Sequence, residues 1–128
     1  MRRTLSMTLA ALAAAALVGL TFAAAAGKPG QQPKYTIKEV MQKAHKGDLL
    51  KKVLSGKASQ EEKEELVLGY TALSLQEPPK GDLESWKKKT NALVMASKAV
   101  LKDDTNTKAL AQLKAAANCT ACHKEHRP

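Results

Sequence analysis

The chain has two cysteines, and both fall within Cys119-Thr120-Ala121-Cys122-His123. Two thiols with two residues between them on a helical turn have the separation needed to add to the two vinyl groups of one porphyrin. An imidazole directly after the second thiol can then reach the iron as its proximal ligand. This spacing predicts one covalent haem c, linked through Cys119 and Cys122 and ligated by His123. Other chemistries use the same residue types. A Cys-x-x-Cys pair alone can be a redox dithiol, but that usually opens a helix after a strand, whereas this pair follows a helical stretch near the C-terminus. Zinc would need Cys119, Cys122, His123 or His126 and one more ligand, for which His45 is available. A disulfide between Cys119 and Cys122 would close too small a loop to stabilise the fold much. With no spare cysteine in the chain, haem attachment is the favoured chemistry.

A proximal His123 leaves one axial position on the iron. Met41 is the first candidate, on the apolar face of the first helix; a thioether opposite an imidazole would raise the reduction potential and suit electron transfer. His45 is the alternative metal ligand. It lies four residues after Met41, so both project from one side of a helix. The structural alternatives are plain: Met41 as a flexible core filler, and His45 as a partly exposed residue beside Lys46. Met95, between Val94 and Ala96, is expected to fill core space. A vacant axial position would instead allow a gas such as nitric oxide or carbon monoxide to bind.

The elements that must hold these residues are helical. From residue 35 onward the apolar spacing follows the helical period, with no alternating strand pattern. The first helix starts near Tyr35 or Thr36 and turns Ile37, Val40, Met41 and Ala44 inward. Gly47 predicts a kink, Asp48 can cap a new start, and Leu49, Leu50, Val53 and Leu54 continue the apolar face to Ser55 and Gly56. Ser59 with Glu62 forms a capping box for the second helix, whose inner face is Leu66, Gly69, Tyr70 and Leu73. Pro78 and Pro79 stop the chain. Asp82 caps the third helix, which carries the longest stripe: Leu83, Trp86, Thr90, Leu93, Val94, Ser97, Val100 and Leu101. Trp86 should pack near a haem or its rim. After a polar turn at residues 103–107, a fourth helix carries Leu110, Leu113, Ala117 and the cysteine motif. Short connections imply antiparallel neighbours, so the expected fold is all-α, an antiparallel four-helix bundle with covalent haem at the C-terminal helix. His126 is expected at the surface.

The N-terminus belongs to a different function. Arg2 and Arg3, an apolar stretch from Leu5 to Phe22 and small residues from Ala23 to Ala26 have the order of a signal peptide. Residues 1–26 are therefore read as an export signal, 27–34 as a flexible leader and 35–128 as one domain. An uncleaved membrane anchor is the other reading of the apolar run. No later segment is long and apolar enough to span a membrane. Export places the domain in the periplasm, where such haems are attached. Removing Arg2 and Arg3 from the formal charge of +9 leaves +7, and two haem propionates would bring this to about +5. A basic exported protein is poorly matched to nucleic acid and better matched to acidic redox partners. The domain is also poor in aromatics, with one Trp and two Tyr. That suits a core in which a large flat cofactor supplies buried apolar area.

The position of Cys119-Thr120-Ala121-Cys122-His123 at the end of the last helix, with Arg127 four residues after the histidine, resembles the class II cytochromes c, the cytochrome c′ and cytochrome c-556 group. Val40-Met41-Gln42-Lys43-Ala44 is similar to the segment in which that family places its distal residue, at the position of Met41. The resemblance implies a four-helix bundle, Arg127 beside the proximal side of the haem, and electron transfer or gas binding rather than catalysis. It also implies a possible homodimer. Lys124, Glu125 and His126 replace the family's commoner acidic and aromatic residues, and Gly47 is a further departure. The expected function is that of a periplasmic monohaem electron carrier, not an enzyme. A five-coordinate gas-binding haem protein is the first alternative, and a haem-free dithiol or zinc module the second.

Overall fold

The structure, a computed structural model, describes residues 32–128. The expected signal peptide and residues 27–31 of the leader lie outside the described residues. Among the described residues the fold is all-α, without a strand. The first helical leg is α1 (Ile37–Val40), which runs on through a wider π-type turn (Met41–Lys46) and, after Gly47 and Asp48, into α2 (Leu49–Leu54). Then come α3 (Gln60–Ser74), α4 (Leu83–Lys102), α5 (Thr107–Ala116) and α6 (Cys119–His126).

Local chemistry sets most of the helix starts. Thr36 Oγ1 accepts from Glu39 N (3.2 Å), and the Glu39 carboxylate accepts from Thr36 N (2.7 Å), a reciprocal box at the head of α1. Ser59 and Glu62 make the same box on α3, at 3.1 Å and 3.0 Å. Asp82 caps α4 through Ser85 N, 2.7 Å. Each cap satisfies backbone donors that the first turn would otherwise leave free. Gly56 and Gly81 end their segments at φ 71° and 86°, a region open to glycine and strained for other residues.

Helices α3 and α4 form the central pair. The Trp86 indole, near the start of α4, donates to Leu73 O (3.1 Å) and Gln76 O (2.8 Å) at the end of α3. Lys63, near the start of α3, pairs with Asp104 just beyond the end of α4 (2.7 Å). Contacts at opposite ends make the two helices antiparallel. The first leg lies along α3 the other way. Gln76 Nε2 donates to Tyr35 O (2.8 Å), Tyr35 Oη donates to Glu65, and Lys52 pairs with Glu62 (2.7 Å). Helix α5 packs on α4 and touches α2, and α6 packs on α4. Val40, Ala44, Val53, Leu66, Tyr70, Leu73, Trp86, Leu93, Val100 and Leu113 belong to the shared core. No helix among the described residues is long and apolar enough to cross a membrane.

Several expectations are corrected. Asp48 stands at the head of α2, but at φ 61° its side chain makes no capping bond. Leu83, expected inside, is exposed, because it occupies the first position of α4, outside the packed stripe. Met95 is 72% exposed and cannot fill core. Its neighbours Leu93 and Ala96 take the buried positions on that turn. The expected fourth helix is two helices. It stops at Ala116, Ala117 ends it, and Asn118 starts α6 by accepting from Ala121 N (3.0 Å). His126, expected at the surface, is 2% exposed, because it is the inward residue of α6 four positions after Cys122.

Candidate functional site

The wide turn at Met41–Lys46 closes its hydrogen bonds five residues back; Gly47 N donates to Gln42 O at 2.8 Å. Residues four and five apart then share one side of the leg more nearly than in an α-helix. Met41, His45 and Lys46 accordingly all border the same cleft. Gly47 makes this turn possible. A Cβ there would lie 2.7 Å from Lys43 O and 3.1 Å from Gln42 O, closer than backbone oxygens tolerate.

On the opposite wall, the break after α5 redirects the chain so that α6 begins at Cys119. Cys119 is exposed and Cys122 half-buried, and both are free thiols. His123 is exposed at the rim. The floor is apolar: Leu73 from α3, Trp86 and Leu93 from α4, and Ala116 and Ala117 from the break. The cleft encloses about 120 Å³, less than the roughly 300–1,000 Å³ of a typical small-molecule site. An adjoining groove of about 530 Å³ shares Met41, Lys46, Trp86, Cys122 and His123 with it, and adds Lys38 and Arg127. Arg127, Lys38 and Lys46 make that side of the site basic.

The electrostatics follow burial. The His45 imidazole is held below its usual pKa, first by burial and then by the proximity of His123. Its ring lies against Tyr70, centroids 5.9 Å apart at 41°. Burial raises the Tyr70 phenol well above its usual range, with a smaller push from Cys119. The Tyr70 hydroxyl is fully buried and has no hydrogen-bond partner among the described residues. Burial also pushes the Cys122 thiol up, the reverse of what activates a redox nucleophile.

The sequence-derived residues Cys119, Cys122, His123, Met41 and His45 are thus brought to one cleft, and Arg127 to the groove beside it. Met95 is not at the site. The donor set suits a covalent haem: two free thiols and an imidazole on one wall, a thioether and a second imidazole on the other, and apolar surface between. Cys119 does open a helix, as a dithiol centre would, but no strand precedes it among the described residues. For zinc, no group of three His, Cys, Asp or Glu side chains is gathered as a metal cluster among the described residues. Sequence reasoning missed Asn118 as the cap that aims α6 and Lys46 as a wall residue. The signal for the first was an Asn directly before the motif. For the second there was none, since an ordinary helix would turn Lys46 away. Comparisons with protein families, curated proteins and solved structures returned no match to this chain.

Proposed function

We propose that this chain is an exported monohaem c-type cytochrome that carries single electrons between redox partners. The observation that supports this is the convergence of Cys119, Cys122 and His123 on an apolar cleft whose far wall carries Met41 and His45. Read as legs, α1 with α2, α3, α4, and α5 with α6 form the antiparallel four-helix bundle of the class II cytochromes c. In this reading Cys119 and Cys122 would hold the haem through thioether links and His123 would ligate its iron, with Met41, or alternatively His45, as the second protein ligand. Bound haem supplies an iron that accepts and releases one electron at a potential set by its ligands and burial. Leu73, Trp86 and Leu93 keep water from the cleft. Arg127, Lys38 and Lys46 offset propionate charge, and the remaining excess of lysine favours acidic docking partners. The signal at residues 1–26 delivers the chain to the periplasm.

The test is expression of the full chain with a working cytochrome maturation system, followed by intact mass and absorption spectra of the ferric and ferrous forms. The expected product is the processed polypeptide plus one haem, with a low-spin spectrum in both states and no carbon monoxide uptake on reduction. A mass equal to the bare processed polypeptide would overturn the proposal. Ready carbon monoxide uptake would replace electron transfer by gas binding.

A further inference from the structure

Helix α6 has only two inward side chains, Cys122 and His126; the other six are exposed. If Cys122 is committed to the cofactor, as proposed above, His126 is the side chain left to fix the helix against the protein. Its surroundings are built for that. Nδ1 lies 3.0 Å from Lys80 O, an acceptor, so Nδ1 carries the hydrogen and donates. Nε2 lies 3.3 Å from Ser85 Oγ, whose one hydrogen can go to Nε2 or to the Glu125 carboxylate, 2.7 Å away. Lys89 of α4 pairs with the same carboxylate. The imidazole meets the Trp86 ring edge-on, centroids 5.3 Å apart at 74°, and Trp86 is itself pinned to the end of α3 and lines the cleft.

The loop side is equally specific. Gly81 has φ 86°, and a Cβ there would lie 2.5 Å from Glu125 O and 2.9 Å from His126 Nδ1. The loop after the two prolines can approach α6 this closely only through a glycine. Two separate features, a buried histidine and a bare glycine, therefore serve one contact.

We propose that His126 and Gly81 form a clamp that positions α6, and through it sets where Cys122 and His123 stand relative to the cleft. His126 is a positioning residue and does not ligate the iron: one ring nitrogen is committed to Lys80 O and the other faces Ser85. This inference rests on the cytochrome reading for its functional consequence, but the clamp itself is testable without haem.

The experiment uses His126→Ala, His126→Asn and Gly81→Ala in the full chain. In haem-free protein, the alkylation rate of half-buried Cys122 is measured against that of exposed Cys119. His126→Ala and Gly81→Ala are expected to raise the ratio about tenfold or more, the effect of losing roughly 1.4 kcal/mol of hydrogen bonding and packing. His126→Asn, which keeps a side-chain donor near the Nδ1 position, should recover much of the protection. In haem-loaded protein the first two variants should shift the midpoint potential and the ferric spectrum, while Asn stays near the parent. An unchanged alkylation ratio in both His126→Ala and Gly81→Ala overturns the clamp. An altered ratio, with no haem on the parent chain, upholds the clamp and removes the cytochrome reading. Altered alkylation with unchanged potential and spectrum overturns the claim that the clamp sets the ligand geometry.

Discussion

Tyr70 offers a test in which the sign of the effect decides. Its ring is fully buried against His45, and its hydroxyl has no partner among the described residues. A buried hydroxyl without a hydrogen bond costs roughly 1–3 kcal/mol relative to one that is satisfied or absent. Tyr70→Phe removes that oxygen and keeps the ring, so it should stabilise the haem-free chain, by about 1–2 kcal/mol once the small void left by the oxygen is allowed for. In a domain of this size each kcal/mol moves Tm by roughly 4–8 °C. The gain should therefore be at least about 4 °C at neutral pH. The pH dependence gives a second sign. Burial holds the folded-state phenol above its ordinary value of 10.0, so above pH 10 the unfolded chain loses a proton that the folded chain keeps. Stability from this group is complete below pH 10 and falls as pH rises beyond it, by up to about 1.4 kcal/mol per pH unit. The Tm difference between Tyr70→Phe and parent should widen between pH 10 and pH 11. Thermal melts by circular dichroism at pH 7, 10 and 11 measure both effects. A Tm for Tyr70→Phe below the parent's at pH 7 would mean that the hydroxyl is hydrogen-bonded, and would refute the account of this side of the core.

Three further perturbations address the site. Gly47→Ala should destabilise the fold by about 1–3 kcal/mol, because the new Cβ forces the carbonyls of the wide turn apart; a urea midpoint equal to the parent's would show that the turn is not held by this glycine. Asn118→Ala should cost about 1 kcal/mol and act locally. Hydrogen exchange should quicken in residues 119–126 and stay unchanged in α3, and equal exchange in α6 would dismiss Asn118 as its cap. In haem-loaded protein, Met41→Ala should abolish the ferric charge-transfer band of a thioether ligand and open the iron to carbon monoxide, whereas His45→Ala should leave the band in place. Loss of the low-spin spectrum in His45→Ala alone would reassign the distal ligand to His45.

Much of the fold was legible because its signals are local. Ser59 with Glu62, Asp82 before Leu83, and Pro78-Pro79 mark boundaries through bonds made or forbidden within a few residues, and each stands where expected. Most of the inner faces of α3 and α4 followed from period: Leu66, Gly69, Tyr70 and Leu73, then Trp86, Thr90, Leu93, Ser97 and Val100, are buried, whereas Val94 and Leu101 are partly buried and Leu83 is exposed. What escaped depends on partners distant in sequence. His126 is buried because Lys80, Ser85 and Trp86 come to meet it, and nothing near residue 126 announces them. The break at Ala117 lies in an alanine-rich run that favours helix throughout. Only the capping capacity of Asn118, together with packing of α6 on α4, overrides that preference. The geometry that brings Cys119, Cys122 and His123 together needs only adjacency in sequence, whereas joining them to Met41 and His45 needs the whole all-α fold.

The two departures from regular helix explain why the cleft exists. An α-helical continuation through residues 41–46 would turn Lys46 away from Met41 and His45. A continuous helix from Thr107 to His126 would carry the cysteines along the axis of α5 and away from the Trp86 face. Both irregularities weaken local backbone order, and an idealised sequence would remove them. They stand on facing walls of one apolar space, and each directs candidate iron ligands into it. Their meeting at the two thiols, the thioether and both imidazoles is the arrangement on which the proposed cofactor reading rests.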